Sequence, residues 1–551
     1  MQRATAAALV TVFVAFTAQA EEPIDWDMVN KIRAEGFQRS QVMDTLQHLT
    51  DRIGPRLTGS PAMKKANDWT KWQLEDWGLQ NAHLDSWGPF GRGWSFDRIS
   101  VHMLSPRKTP LLALPKAWTP GTRKKVKGLA IHAVLEEDKD LEKHKGKLKD
   151  KIVFIAKSRD LEDPTAPKFI RYSDDQLYDI VDFPIREPRG FAERRKRIKK
   201  SIKFRKALNE FLAEEKALVV VDISSRDGGT IRLSSAGSRE PGENVGVPTI
   251  AMMAEHYNWV LRLLEDDVEV EVEIDVKAKF YDDDLLGYNT IAEIPGSGVE
   301  EEVVMVGGHL DSWHAGAGSN DNAAGCAVAM EAVRILQALG IEPKRTIRIA
   351  LWSGEEQGLW GSIEYVREHF ASPPKTDDET EKKMSPLLWK KQFPLEIKPG
   401  HEKLSAYFNL DNGSGRIRGV YTQENAAASP IFEAWLRPFH DLGADTVTNR
   451  NTGGTDHLPF DAVGLPGFQF IQDGLDYRSQ THHTNLDTYD HSRAEDLKQA
   501  SVVMASFLYH AAQRDERFPR EPMPQPPVED AEDDEEEDDR IQNGRHGGRP
   551  L

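Results

Sequence analysis

The amino-acid sequence predicts an α/β fold with a parallel sheet, on the strength of two observations. An apolar run of strand length, 303–308, ends in His309-Leu-Asp311, and an apolar helix follows it. A second apolar run then ends in Glu355-Glu356. Strand, helix and strand in this order form the unit from which parallel sheets are built. Polar groups after both strands stand where ligands bind in open α/β sheets, beyond the carboxyl ends of the strands.

The size and charge of the chain narrow the class of protein. It has 551 residues, which favours more than one domain and leaves enough apolar material for a sizeable core. The formal net charge is −18, but ten of the acidic side chains lie within 529–539, so the body is less acidic than the total. The chain has no surplus of basic charge, and we expect no nucleic-acid partner. A homodimer is compatible with the sequence.

The first twenty residues have the three parts of a secretory signal. Arg3 gives a basic start, an apolar stretch follows, and Ala18-Gln-Ala20 is a small-residue cleavage site. The alternative is a membrane anchor, but the apolar stretch is shorter than the ~20 residues that span a bilayer. No later segment is apolar enough to span one. The sequence therefore predicts a signal peptide at 1–20 and a secreted or periplasmic protein with no membrane span after cleavage.

The remaining elements predict a discontinuous metal-bearing domain at 21–121 and 280–515. Ser60 is a candidate N-cap with Pro61 just inside the helix that follows. Beyond the central block, the polar stretch 371–398 is predicted to be a surface excursion. The other predicted elements of this domain are a helix from Ile24 onward, strands at 97–104, 109–114, 289–294, 405–411 and 466–471, and a final helix at 493–514.

Residues 122–279 are predicted to form a separate, β-rich inserted domain. Its strand-like runs lie at 129–134, 151–156, 217–222 and 268–274. Within it, the basic run 194–206 carries a weak helical stripe. A solvated helix face is the favoured interpretation, and a binding patch for acidic partners is the alternative. At the other end of the chain, 522–551 is Pro-rich and acidic, and we expect it to be disordered.

Cys326 is the only cysteine, so no intramolecular disulfide can form. It lies among alanines on the predicted helix after His309. A buried packing role is favoured, because a free cysteine behaves as a small apolar side chain. The alternative, a catalytic thiol, requires a nearby base, and the sequence shows none.

Five side chains from separate segments could bind metal: His309, Asp321, Glu356, Asp411 and His483. Each has an ordinary structural explanation by itself, such as an N-cap for the aspartate before a helix. Together, two histidines and three carboxylates exceed what one tetrahedral zinc needs beside a catalytic water. They match two zinc ions that share one carboxylate, and a zinc-bound water can reach a pKa near ~7. The sequence therefore predicts two Zn²⁺ per chain.

Three further carboxylates fit supporting roles around such a centre. Glu355 is adjacent to Glu356, and neighbouring side chains in an extended chain point in opposite directions. If one binds metal, the other can accept a proton from the attacking water, as a general base does. Asp311 and Asp487 are close in sequence to His309 and His483, so either could accept a second imidazole N–H.

The blocks 308–313, Glu355-Glu356 and 483–488 resemble the co-catalytic zinc aminopeptidase family, and in particular its carboxypeptidase Q branch. The similarity runs from about Ile53 to about Arg514. The resemblance implies a three-layer α/β/α, phosphorylase/hydrolase-like zinc peptidase domain with an inserted protease-associated domain. The basic run, the excursion at 371–398 and the acidic tail depart from the family pattern.

The resemblance also implies roles for single residues. Asp321 would bridge the two metals, with His309 and Asp411 on one and Glu356 and His483 on the other. Glu355 would be the base, and Asp311 would orient His309. His457, in Thr455-Asp456-His457, would stabilise the oxyanion, although it could equally be a histidine of the pocket wall.

These observations predict an exported di-zinc exopeptidase that acts on a peptide or dipeptide. Aminopeptidase action is the first choice, and carboxypeptidase or dipeptidase action is the second. Two other classes stay open. An acyltransferase resembling glutaminyl cyclase would use one zinc, and a non-catalytic receptor-like relative would be expected to have lost ligands.

Overall fold

The structure is a computed structural model that describes residues 22–161, 165, 167–182, 191–299 and 301–526. The predicted signal peptide lies outside these residues, and so does the predicted tail from 527 onward. Among the described residues, every helix is too short or too polar to cross a lipid bilayer.

The described residues form eighteen strands and twelve α-helices. The strands are β1 (Gln80–Trp87), β2 (Gly93–Ser105), β3 (Thr109–Pro110), β4 (Ala113–Pro115), β5 (Val126–His132), β6 (Lys151–Phe154), β7 (Val219–Ile223), β8 (Thr249–Met252), β9 (Glu271–Tyr281), β10 (Gly287–Ile294), β11 (Val303–His309), β12 (Thr346–Trp352), β13 (Ala371–Ser372), β14 (Glu396–Ile397), β15 (Leu404–Asn409), β16 (Ile417–Tyr421), β17 (Thr446–Thr448) and β18 (Gly467–Gln472). The helices are α1 (Trp26–Gln38), α2 (Val42–Gln47), α3 (Pro61–Asp76), α4 (Asp138–His144), α5 (Asp174–Val181), α6 (Phe191–Glu214), α7 (Ala254–Glu265), α8 (Ala324–Ala338), α9 (Trp360–His369), α10 (Ser429–Leu436), α11 (Leu458–Asp461) and α12 (Ala494–Gln513).

The first sheet has eight strands in the order β1-β10-β12-β11-β15-β18-β16-β17. Its four central strands, from β12 to β18, are parallel to one another. β10 pairs with β12, and β16 with β18, in antiparallel fashion. The predicted parallel sheet is therefore the centre of a mixed sheet, and the central strands all end at the same edge.

Apolar side chains on both faces of this sheet are buried, which produces three layers. On one face, Val304, Val306 and Phe408 pack with residues of α1, α2, α8, α10 and α12. On the other face, Met305 and Tyr407 pack with residues of α9 and α11. Successive residues of a strand point to opposite faces, so strands covered on both sides are continuously apolar. The predicted α/β class and three-layer arrangement are confirmed.

The entry to α3 follows the predicted capping pattern. Ser60 Oγ accepts a hydrogen bond of 3.1 Å from the N–H of Met63, and Pro61 occupies the first turn. A serine cap satisfies one of the N–H groups that a helix leaves without an internal partner. This fixes the first residue of a helix that packs on β1 and β10.

Glycine allows α8 to approach the sheet closely. A Cβ on Gly325, in the first turn of α8, would overlap the carbonyl oxygen of Leu410, which follows β15. Cys326 is buried beside this contact, and its Sγ donates to the carbonyl oxygen of His309 over 3.0 Å. Burial raises the pKa of the Cys326 thiol to about 12. These observations favour the predicted packing role.

The second sheet has eight strands in the order β3-β2-β9-β5-β6-β7-β8-β4. It includes β2, β3 and β4, which precede the predicted boundary at 122. β2 pairs with β9 from Gly93 opposite Tyr281 to Ser105 opposite Glu271, so this part of the chain pairs with the insert rather than with the first sheet. Residues of α7 pack on one face, and residues of α4 and α6 pack on the other. The unit therefore contains helices as well as strands.

Two segments of the insert reach across to the first sheet. α5 packs Leu177 and Ile180 against Ile471 near the end of β18. The basic run lies on α6, where Lys199 Nζ is 2.6 Å from Asp378 Oδ2 and 2.8 Å from Glu381 Oε1, both in the excursion 371–398. The excursion buries Met384, Leu388 and Trp389. It is therefore a packed segment that bridges the two sheets rather than a loose surface loop.

Candidate metal centre

The five predicted ligands lie at or beyond the carboxyl ends of neighbouring strands. His309 is the last residue of β11, and Asp411 follows β15 by two residues. Glu356 follows β12, and His483 is in the loop after β18. Asp321 lies in the turn that enters α8. Because β12, β11, β15 and β18 are adjacent and parallel, their ends converge on one place.

One half of the cluster is formed by His309 and Asp411, together with Asp321. His309 Nε2 lies 3.4 Å from Asp321 Oδ1 and 3.4 Å from Asp411 Oδ1. All three side chains are buried, with exposures of 1%, 5% and 7%. We call this group the His309 half.

The other half is formed by His483 and Glu356, again with Asp321. His483 Nε2 lies 2.9 Å from Glu356 Oε2 and 3.2 Å from Asp321 Oδ2. We call this group the His483 half. The two oxygens of Asp321 therefore face different histidines, as a carboxylate shared by two metal ions must.

The donor atoms fit a bound cation better than they fit each other. His309 Nε2, Asp321 Oδ2 and Asp411 Oδ1 are buried, and each lacks a hydrogen-bond partner among the described residues. Buried polar atoms are nearly always paired, so three unpaired atoms facing one point indicate a missing partner. Imidazole nitrogen with carboxylate oxygen is a donor set that suits zinc. The residues present therefore fit zinc.

The electrostatics of the cluster reflect an excess of buried carboxylates. Burial raises the pKa values of Glu355 and Glu356 well above their usual range, and neighbouring aspartates add to the effect. Burial lowers the pKa of His309, but the carboxylates of Asp411 and Glu355 outweigh it, and the pKa is raised well above its usual range. Such a group of anions requires compensating positive charge to stay ionised together.

The adjacent glutamates point to different halves, as the alternation of side chains predicts. Glu355 Oε2 lies 3.9 Å from His309 Nε2, and Glu356 Oε2 lies 2.9 Å from His483 Nε2. Glu356 Oε1 also accepts from the N–H of Trp313 over 3.2 Å. Glu356 is thus held within the cluster, and Glu355 stands beside it without direct contact to the His483 half.

Asp311 and Asp487 make contacts other than the predicted ones. The Nδ1–H of His309 donates to the backbone carbonyl of Asp311 over 2.9 Å, whereas the nearer carboxylate oxygen is 3.7 Å away. The Asp311 carboxylate instead accepts from the N–H groups of Glu355 and Glu356 over 3.2 and 3.3 Å. It therefore positions the glutamate loop more directly than it positions the imidazole.

Asp487 positions the turn that contains Asp321. Its two carboxylate oxygens accept from the N–H groups of Asn320 and Asp321, over 2.6 and 3.2 Å. His483 has a different neighbour, because its Nδ1 lies 3.3 Å from Nη2 of Arg232 in the insert. Neither carboxylate therefore accepts the imidazole N–H predicted for it, and each accepts from backbone N–H groups instead.

Several supporting residues have no signal in the sequence. Thr58 Oγ1 donates to Asp311 Oδ2 over 2.9 Å, and the buried Tyr477 hydroxyl donates to Asp321 Oδ1 over 3.1 Å. Thr58 is 253 residues from Asp311, and although Tyr477 is close in sequence to His483, single threonines and tyrosines form no pattern. Their roles follow from folding alone.

Arg56 holds the loop that joins His309 to Asp321. Its guanidinium is fully buried and donates to the carbonyl oxygens of Leu310, Ala317 and Gly318 over 2.7, 2.8 and 2.7 Å. Two further bonds of 3.3 and 3.0 Å go to carbonyl oxygens of Leu49 and Gly54. A guanidinium presents five N–H donors in a fixed plane, which suits several carbonyl groups at once.

His457 is buried but its hydrogen bonding does not favour the predicted oxyanion role. Nε2–H donates to the carbonyl oxygen of Thr452 over 3.0 Å, and Nδ1 has no hydrogen-bond partner in the described part of the chain. In a neutral imidazole the second nitrogen is then an acceptor. Burial lowers the pKa of His457 to about 4, so the ring is neutral at physiological pH. As placed, it offers an oxyanion no N–H.

A comparison with known families matches the segment of the chain that contains this cluster. Residues 289–508 match Peptidase family M28. This part of the chain is therefore similar to M28 peptidases. That segment starts within β10 and ends within α12, so it spans the central strands and all five candidate ligands. The predicted resemblance to a zinc peptidase family is confirmed.

Individual relatives extend the similarity beyond the matched segment. Carboxypeptidase Q from Pongo abelii is 25% identical over 488 residues, which are 88% of this chain and 88% of that one. Aminopeptidase YwaD from Bacillus subtilis (strain 168) is 27% identical over 219 residues, 39% of this chain and 42% of that one. The crystal structure of a Peptidase M28 precursor from Shewanella amazonensis SB2B aligns with a TM-score of 0.63 and 23% identity, covering 91% and 99%. That structural alignment shows a shared fold.

Proposed function

We propose that this protein is a di-zinc exopeptidase that hydrolyses the terminal peptide bond of short peptides. The observation that carries the proposal is Asp321, whose two oxygens face His309 and His483 separately. His309, Asp411 and Asp321 would hold one ion, and His483, Glu356 and Asp321 the other. Bound zinc ions would acidify a water molecule and polarise the scissile carbonyl group.

Glu355 is the proposed general base. Its carboxylate lies beside the His309 half and makes no hydrogen bond to the His483 half, so it is available to the attacking water. It would accept a proton from that water and later donate it to the departing amine. A positioned base of this kind typically contributes ~10²–10⁴-fold to the rate. The Asp311 carboxylate accepts from the N–H of Glu355, and the Asp487 carboxylate accepts from the N–H of Asp321, so each aspartate positions one of these residues.

Cleavage from the amino terminus is the first proposal, supported by the similarity to aminopeptidase YwaD over 39% of this chain. Cleavage from the carboxyl terminus, or of dipeptides, is the second, supported by similarity to carboxypeptidase Q over 88% of the chain. For an exported protein, which the N-terminal sequence predicts, either activity would act on peptides outside the cytoplasm.

Metal analysis tests the proposed centre. After dialysis with zinc and removal of the excess, we expect about two zinc ions per chain. One ion per chain would favour cyclase-like acyl transfer, and none would favour a non-catalytic relative.

Blocked peptides test the polarity. An aminopeptidase should cleave Leu-Gly-Gly with an amidated carboxyl terminus and fail on the N-acetylated form, and a carboxypeptidase should show the opposite. If zinc-loaded protein cleaves neither these peptides nor Leu-Gly, exopeptidase activity is contradicted.

A further inference from the structure

The insert places a cation directly beside the candidate metal centre. Residues 231–233 run along 483–485, where Arg232 pairs with Thr484 and the N–H of Leu233 donates to the carbonyl oxygen of His483 over 3.0 Å. Arg232 is half-buried at this junction. Its Nη2 is 3.3 Å from His483 Nδ1. One imidazole ring therefore separates the guanidinium from the atoms that face the metal positions.

The guanidinium of Arg232 has no anionic partner within the described part of the chain. Its hydrogen bond to His483 Nδ1 is the single one it makes there. Another arginine between the two units, Arg171, is paired: its Nη1 lies 3.0 Å from Asp473 Oδ2, and its Nη2 lies 2.7 Å from Asp496 Oδ2. Arg232 therefore differs from Arg171, because it lies beside the candidate metal centre without a carboxylate partner among the described residues.

Zinc binding by His483 would also remove this one acceptor. While Arg232 donates to Nδ1, the proton of the neutral ring is on Nε2, which faces Glu356 Oε2 and Asp321 Oδ2. An imidazole that holds a metal through Nε2 carries its proton on Nδ1. Two N–H donors would then face each other. The guanidinium must turn away from the ring and find another acceptor.

We propose that this acceptor is the substrate, and that Arg232 binds the free α-carboxylate of the residue on the leaving side of the scissile bond. The inference rests on the proposed exopeptidase function. A guanidinium matches a carboxylate with two parallel hydrogen bonds, the strongest neutralisation available to it. Arg232 then selects peptides that end one residue after the cleaved bond. A dipeptide meets this requirement both for an aminopeptidase and for a carboxypeptidase.

Kinetics on a matched pair of substrates test the assignment. Leu-Gly has the free carboxylate, and Leu-Gly-amide differs in that group alone. Charged hydrogen bonds contribute about 1.5–3 kcal/mol, so the wild-type kcat/KM should favour Leu-Gly by roughly 10- to 100-fold. Arg232→Gln should lower the value for Leu-Gly to that for the amide, with little effect on the amide. Arg232→Lys should recover part of the preference.

Two controls separate binding of substrate from support of His483. Arg98→Gln removes an exposed guanidinium that pairs with Asp275 in the second sheet, and it should leave the preference unchanged. Zinc content should stay at the wild-type value in Arg232→Gln. Equal loss on both substrates together with lost zinc would overturn the proposal and assign Arg232 to positioning His483.

A binding measurement keeps the inference testable if turnover is absent. Calorimetry on zinc-loaded Glu355→Gln protein should show Leu-Gly binding more tightly than Leu-Gly-amide, and adding Arg232→Gln should remove the difference. Equal binding of the two ligands before that second change would overturn the assignment. Preferential binding without hydrolysis in the wild type would instead contradict the proposed function and leave the subsite in place.

Discussion

The two halves of the candidate centre are built in different ways. In the His309 half, the histidine ends β11 and the aspartate follows β15, the strand next to it, and both side chains are buried. In the His483 half, the histidine stands eleven residues beyond β18, its side chain is 20% exposed, and the insert touches both its ring and its carbonyl group. One half is supported by the sheet, and the other is held by a loop between two units.

This difference shows which contacts each half needs to keep its metal ligands in place. Packing of the core determines the His309 half, because His309 belongs to a paired strand and Asp411 follows the next strand by two residues. The His483 half depends on a loop whose histidine has φ of 63°, in the left-handed region that non-glycine residues rarely adopt. Such a conformation persists when surrounding contacts hold it, and here the contacts come from residues 231–233. We expect the His483 half to be the weaker metal position.

The largest effect is expected from a substitution that disrupts both halves of the centre at once. Asp321→Asn takes away the carboxylate that both histidines face, and an amide cannot bridge two cations as a carboxylate does. We expect loss of both zinc ions and hydrolysis near the uncatalysed rate, measured by metal analysis and peptide turnover. Asp441→Asn, which removes an exposed carboxylate paired with Arg33, is the matched control. Retention of one tightly held zinc would assign Asp321 to a single half.

The next largest effect is expected from two substitutions that distinguish proton transfer during catalysis from metal binding. Glu355→Gln should lower kcat by ~10²–10⁴-fold while zinc content stays at two, because the base is lost and the ligands remain. Glu356→Gln should lose zinc from the His483 half as well as activity. Zinc content and kcat measured together decide between them. The reverse pattern would show that the roles of the two glutamates are exchanged.

A smaller effect is expected where a carboxylate supports a ligand indirectly. Asp487→Asn keeps the shape of the side chain but weakens its hold on the turn of Asp321, and we expect zinc affinity to fall by ~10–100-fold. Competition with a chelator measures the change at each position. Asp311→Asn, which loosens the glutamate loop instead, should weaken mainly the His483 half through Glu356. Identical effects of both changes on both positions would contradict this separation.

The smallest expected effect is a change in the stability of the whole fold, caused by Asp461, which lies outside both halves of the centre. Burial, with Glu521 and Glu424 nearby, raises the pKa of Asp461 to about 7. The folded state thus favours the protonated form, so this stabilisation is present below about pH 4 and is lost as pH rises to about 7. Asp461→Asn should raise Tm by a few degrees at pH 8 and have little effect at pH 4, measured by calorimetry. Equal shifts at both pH values would exclude a titration effect.

Sequence reasoning predicted the His309 half better than it predicted the surroundings of the His483 half. His309 and Asp411 follow apolar runs, and the ends of parallel strands converge whatever the rest of the chain does. Arg232 and His483 are 251 residues apart, and no periodicity or spacing relates them. Their contact depends on how two units dock, which a linear pattern does not encode.

The predicted start of the insert failed for a related reason. The strands at 97–104 and 109–114 were recognisable, but the composition changes only near Lys127. Which sheet a strand joins depends on its partner, and the partner of β2 is β9, which lies more than 160 residues later. The entry and exit of the insert, Gly93 and Tyr281, lie opposite each other in that pair. A strand can be recognised from its own residues, whereas the sheet that it joins depends on a partner strand far away in the sequence.

The buried guanidinium of Arg56 has a consequence for the order in which the chain can fold. Three of its carbonyl acceptors lie 254 to 262 residues later in the sequence. At ~5–20 residues per second, roughly 13–50 s of synthesis separate the arginine from these partners. Until then the charge must stay in water, and the helices around it cannot close their core. We therefore expect the amino-terminal helices around Arg56, α1 to α3, to wait, unpacked and accessible to chaperones, for the loop that completes the metal centre.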